Sequence, residues 1–144
     1  MPTDNEAIAR RWFEEVWNAR RDECVDELMP PESIGHMEGG DVRGPADFKA
    51  ARRELLTAFP DVRVTVEDTV GDGDNVVVRW AASATHKGEA LGLQPTNMPV
   101  RFRGITWLVI RNGRIMEGWD AWNQGKLMEE MRTAASEAAA SRSE

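Results

Sequence analysis

The chain contains no tyrosine, a single cysteine and only two histidines. Each shortage removes a class of chemistry. One cysteine, Cys24, cannot close an intrachain disulfide, which suits a reducing compartment, and no neighbouring base marks it as a nucleophile. No spacing among His36, His86, Cys24 and the carboxylates suggests a metal site, so none is expected. The glycines form no dinucleotide cradle; GDGDN reads as a hairpin turn. A nucleophile elbow of the G-x-S-x-G kind is missing too. MPTDNEAIARRW has neither the basic start nor the apolar run of a secretory leader. No segment approaches the ~20 apolar residues of a transmembrane helix, so the cytoplasm is the expected compartment. Positive charge is in short supply as well. With 18 Lys and Arg against 25 Asp and Glu, the formal net charge is -7, which argues against nucleic acid or an anionic membrane as partner.

What is there is apolar bulk. A chain of 144 residues with 41% hydrophobic content is long enough for one domain with a core and a small-molecule pocket. Six Trp and four Phe suit the walls of a cavity. The domain is expected over 1–132, with the Ala- and Ser-rich 133–144 as a frayed helix or disordered tail.

Periodicity sorts the elements. Thr3 or Asp4 caps a first helix running to about Asn18, with Ile8, Trp12 and Val16 at four-residue spacing and Phe13 and Trp17 widening the stripe. A short second helix, about Arg21 to Leu28, stops at Pro30-Pro31. Ser33 to Glu38 reads as a short strand before the turn-rich GGDVRGP, and Asp47 to Phe59 as a third helix. The period then falls to 2. Val62, Val64 and Val66 alternate with polar residues, Val76 to His86 is the next strand, and Val100–Ile110 and Arg114–Trp122 form a hairpin across Asn112-Gly113. Helices first and a long meander afterwards predict an α+β domain, with helices covering one face of a curved sheet.

Strand parity then places the chemistry. Between Val100 and Ile110, Phe102, Gly104, Thr106 and Leu108 share one face, while Arg101, Arg103, Ile105, Trp107 and Val109 share the other. Both faces hold large apolar groups, so one is expected to line a cavity and the other to meet a second subunit. On the following strand Met116, Gly118, Asp120 and Trp122 share parity. Trp119 and Trp122 flank Asp120, and a carboxylate among aromatic rings is poorly solvated, which favours its neutral form and suits it to moving protons. Asp120 could instead close the sheet edge or cap a helix from about Asn123. His86 ends the face of Val78, Trp80, Ala82 and Ala84, either at the cavity or as a tie for its loop. His36 could project into the cavity mouth or be structural. Trp17 reads as a core residue first, with ligand contact as the alternative.

Four passages, RRWFEEVWN, AFPDVRVTVED, THKGEALGLQPT and FRGITWLVIRNGRIMEGWD, occur in an order that resembles the SnoaL-like polyketide cyclase (ester cyclase) family over about Ile8 to Met131. That family belongs to the cystatin-like cone superfamily, with ketosteroid isomerase, scytalone dehydratase and limonene epoxide hydrolase as more distant members. The resemblance implies a cone-shaped barrel in which N-terminal helices pack on a strongly curved mixed or antiparallel sheet around a pocket, often in a homodimer. It also implies that the aspartate after the NGRI-like turn, here Asp120, is the general acid/base of an intramolecular aldol closure. The family's histidine on the preceding strand aligns with Thr106, which can hydrogen-bond a carbonyl but exchanges no proton at neutral pH.

The reading is therefore a cofactor-free cyclase acting on an apolar, carbonyl-bearing, polyketide-like ring substrate. Asp120, His36 and His86 are the proton-handling candidates; Trp80, Phe102, Thr106, Met116, Trp122 and Trp17 are the substrate contacts. An isomerase, dehydratase or epoxide hydrolase in the same fold, or a non-catalytic binding module, stands as the alternative. The dimer is expected through Ile105, Trp107 and Val109.

Overall fold

The first helix changes its winding where it meets the core. In the structure, a computed structural model that describes residues 4–89 and 92–143, α1 spans Asp4–Arg11 and continues as a π-helix over Trp12–Asn18. The wider turn buries Trp12, Phe13 and Val16 together, and such π segments gather at functional sites. Two side chains hold it in place. Asn18 mimics a strand neighbour, donating to the Val64 carbonyl and accepting from the Val64 N–H at 2.8 Å each. Arg52, 5% exposed, donates to the Val16 carbonyl, one of those a helix end leaves unpaired, and ion-pairs with Asp22. Thr3, the other cap candidate, and Ala90 and Leu91 of the loop lie outside the described residues.

α2 covers Asp22–Leu28, β1 Ile34–Met37 and β2 Gly40–Arg43, so the turn-rich stretch contains a strand of its own. α3 spans Gly44–Ala58, starting three residues ahead of the expected Asp47, with Pro45 in its first turn, where a missing N–H costs nothing. Then follow β3 (Arg63–Asp72), β4 (Asn75–Thr85), β5 (Pro99–Arg111) and β6 (Arg114–Trp122). α4 runs Gln124–Ser143, through the Ala-rich stretch. Among the described residues no helix is long and apolar enough to cross a membrane.

The strand order is β2-β1-β6-β5-β4-β3. All pairings are antiparallel except β1 with β6, which is parallel. The sheet is thus mixed and open, and the helices close it into a cone. The β5–β6 hairpin turns on Asn112 and Gly113, both at positive φ (52° and 76°), as its turn type demands. Two register shifts bend the sheet, one between Val66 and Asp68 on β3, the other leaving Met116 unpaired on β6.

Candidate active site

The inner face of β4, β5 and β6 meets the π-helix and α3 across an apolar cavity. About 90 Å³ of it is open to the centre of a water molecule, room for a handful of waters or a slim, flat ligand. Trp12, Phe13 and Trp17 come from the first helix, Phe48 and Leu55 from α3, and Trp80, Phe102 and Trp122 from the sheet. Phe102 organises the sheet wall: it stacks on Trp122 at 4.9 Å and meets Trp80 edge-on at 6.1 Å. Trp17 lines the cavity while packing edge-on against Phe48 at 5.8 Å.

One polar chain runs through this apolar wall. The Trp80 indole N–H donates to Thr106 Oγ1 at 2.9 Å, and Thr106 donates to Asp120 Oδ1 at 2.7 Å. The direction follows from chemistry: an indole nitrogen can only donate, so the Thr106 hydroxyl keeps its own proton for the carboxylate. Register explains the contact. Thr106 and Asp120 are direct cross-strand partners, and Trp80 is paired with Gly104. The Trp80 ring lies across that glycine: a Cβ there would sit 2.6 Å from Trp80 Cζ2 and 2.8 Å from the Ala121 carbonyl oxygen. Gly104 is the residue that lets Trp80 reach Thr106, and its cue was a glycine in a strand of bulky neighbours.

Burial pushes the Asp120 carboxyl above the usual aspartate range; the Thr106 hydrogen bond works against this, and the negative charge of Glu38 adds to it. Glu38 is exposed at the end of β1 and accepts the Trp122 N–H at 3.2 Å. Nothing local in the sequence pointed to it, because the approach spans 84 residues. The cap reading for Asp120 is replaced by Asn123, whose Oδ1 accepts the Lys126 N–H at 2.9 Å at the start of α4.

Three candidates belong elsewhere. His36 borders the cavity through its strand, but its ring lies on the outer face, stacked on Trp119 at 5.3 Å. Nδ1 contacts Asp41 at 2.9 Å and Nε2 contacts Glu117 at 2.7 Å. The parallel pairing of β1 with β6 sets it opposite Trp119, which is 41% exposed. Glu117 first and Asp41 second hold its pKa above the ordinary histidine value.

His86 is fully buried beyond the cavity, against Phe59 at 5.9 Å. Its Nδ1 accepts from the Thr96 N–H at 3.3 Å and lies 3.0 Å from Thr96 Oγ1. Burial lowers its pKa, with a Gly88 backbone hydrogen bond opposing. It ties the end of β4 to Thr96, Asn97 and Met98. Met116 occupies the bulge, and the bulge gives Ile115 the inward place that alternation had assigned to Met116. Trp119 likewise points outward, so the rings around Asp120 are those of Trp122, Phe102 and Trp80.

Comparison with known proteins agrees with this frame. No curated protein matches the chain significantly. Among solved structures, a candidate SnoaL-like polyketide cyclase from Jannaschia sp. CCS1 superposes with a TM-score of 0.84 at 26% identity, covering 90% of this chain and 92% of that one. AclR from Streptomyces galilaeus, described as a candidate hydroxylase, gives 0.80 at 26%, covering 92% and 98%. IdmH from Streptomyces antibioticus, a candidate polyketide cyclase, gives 0.78 at 26%, also covering 92% and 98%. The model of the SnoaL-like polyketide cyclases matches residues 7–131. That match takes in the π-helix, the whole sheet and Asp120, and the chain belongs to the SnoaL-like polyketide cyclase family.

Proposed function

We propose that the chain is a cyclase that closes a ring within an apolar, carbonyl-bearing substrate, with Asp120 carrying the proton. The observation that supports this is the desolvated carboxylate at the end of the Trp80–Thr106 chain, open to an apolar cavity. Among the described lining residues only Asp120 presents an acid or base to the cavity, the His36 ring being turned away. One group must then both take and return the proton. The carboxylate removes a proton alpha to a carbonyl, and the enolate carbon bonds to a second carbonyl carbon of the same molecule. The resulting alkoxide takes the proton back from Asp120. The sequence is redox-neutral and consumes no co-reactant. Its ring closure gains from the two carbons being held in one fitted site. Burial favours the neutral acid needed for the return step. Thr106 orients the carboxylate and leaves Oδ2 for the substrate.

The test is proton exchange. In D2O, 2,6-diacetylnaphthalene should exchange its methyl protons in the presence of the protein. Asp120→Asn should slow that exchange by roughly 100- to 10,000-fold. Unchanged exchange in this variant would sink the assignment.

Assembly is part of the same proposal. Ile105, Trp107 and Trp119 are 48%, 49% and 41% exposed on the outer face, with Trp107 edge-on to Trp119 at 6.4 Å. A patch of this kind suits an isologous contact with a second copy. Light scattering at micromolar concentration should report a dimer, and Trp107→Asp should report a monomer. A monomeric parent protein would end this part of the proposal.

A further inference from the structure

Among the described residues two hydroxyls line the cavity, Thr106, which directs its proton to Asp120, and Ser33. Ser33 is 1% exposed, and its Oγ has no hydrogen-bond partner among the described residues. Its backbone is fully engaged. The N–H donates to Pro30 O at 3.0 Å, and the carbonyl accepts from Gly44 N at 2.9 Å, which extends the β1–β2 ladder by one residue. That extension sets its parity. Ile34 and His36 pair with the outward Glu117 and Trp119, so Ser33, Gly35 and Met37 face inward. A buried hydroxyl without a partner is a cost to the free protein that a ligand oxygen can relieve.

Its position says which ligand oxygen. Gly35 pairs with Gly118. Ser33 precedes Gly35 by two residues and Asp120 follows Gly118 by two, which separates them by about 13 Å along the strands. Ser33 therefore cannot polarise the carbonyl whose alpha proton Asp120 removes. Between the two groups the wall is apolar and aromatic, with Ile115, Leu108 and Trp80 among its residues. We infer that Ser33 is the far-end anchor of the site. It donates to an acceptor oxygen at the end of an elongated, flat, apolar ring substrate remote from the proton that Asp120 moves. This rests on the ligand-cavity reading above, and it names the shape and oxygen pattern of the substrate class.

The experiment isolates anchoring from chemistry by measuring affinity alone, in the Asp120→Asn protein as well as the parent. The probes are 2-acetylnaphthalene and 2-ethylnaphthalene, equal in shape and differing in one terminal acceptor oxygen. Binding is read from quenching of the cavity tryptophans. Parent protein and Asp120→Asn should both prefer the ketone by about three- to tenfold, the worth of one neutral hydrogen bond. Ser33→Ala should bind the two probes equally, with the hydrocarbon affinity unchanged. Its melting temperature should equal or exceed that of the parent, because no protein hydrogen bond is lost. The inference is overturned by a parent protein without ketone preference, whether both probes bind or neither does. A preference that survives in Ser33→Ala overturns it too, as does a marked fall in melting temperature, which would mean the hydroxyl serves the fold. Loss of proton exchange in Asp120→Asn leaves each of these outcomes readable.

Discussion

The two faces of the β5–β6 hairpin carry similar residues and treat them in opposite ways. Within four residues of β6, Glu117 faces outward and Asp120 faces inward. Each carboxylate has tryptophan nearby. Glu117 also has the His36 imidazole at 2.7 Å, and its side chain is 39% exposed. Asp120 has a single hydroxyl, a distant like charge and an apolar cavity, and its proton affinity rises. What matters is the removal of water together with the absence of a cation to replace it. On the outer face the tunable group is the histidine, raised by its two acids; on the inner face it is the acid.

The comparison can be broken most sharply by turnover. Asp120→Asn should cost roughly 100- to 10,000-fold in exchange or cyclisation rate. Glu117→Gln, three residues away on the opposite face, should change the rate about twofold or less. Equal losses would mean that the two faces are not chemically distinct.

Packing should separate the faces next. Gly104→Ala places a Cβ against Trp80 and the Ala121 carbonyl. It should destabilise the fold by about 1–3 kcal/mol in chemical denaturation. Gly39→Ala, where a Cβ meets nothing within 4 Å, should be close to neutral. A tolerated Gly104→Ala would show that the inner wall is loose and that the Trp80–Thr106 contact is not enforced.

A smaller effect should appear in melting as a function of pH. The folded-state pKa of Asp120 lies above its unfolded value. Ionisation of this group therefore opposes folding above the folded pKa, and the penalty disappears as pH falls below the ordinary aspartate range. Asp120→Asn should melt higher than the parent at neutral pH and converge with it in acid. A lower melting temperature at every pH would make Asp120 a structural group.

The smallest effect belongs to His36. Its folded pKa is raised, so its pairs stabilise fully below the unfolded value and lose their contribution as pH rises through the folded one. His36→Gln should cost ~0.5 kcal/mol in mildly acidic buffer, as partly exposed ion pairs do, and nothing in alkaline buffer. A pH-independent cost would attribute the effect to stacking on Trp119.

Much of the frame was legible from local patterns. The Asn-Gly turn marked the hairpin, alternation along β5 put Phe102 and Thr106 on one face, and the Gly118–Asp120–Trp122 parity is the one observed. These are features of neighbouring residues, and neighbouring residues encode them. The same alternation misassigned Met116, because one extra residue in the strand reverses the parity behind it. It was silent on His36, whose facing depends on a parallel partner strand 81 residues away.

The sequence by itself determined the α+β order of elements, the period of each and the presence of one carboxylate on the Thr106 side of the hairpin. Those follow from steric and hydrophobic rules that act over a few residues. Only the tertiary structure decided which histidine meets which acid, that Trp80 orients Thr106 over Gly104, that the Ser33 hydroxyl is left without a partner among the described residues, and that burial raises the proton affinity of Asp120. Hydration and hydrogen-bond supply at a point depend on every wall around it. Those walls come from seven elements that the chain brings together only when it folds.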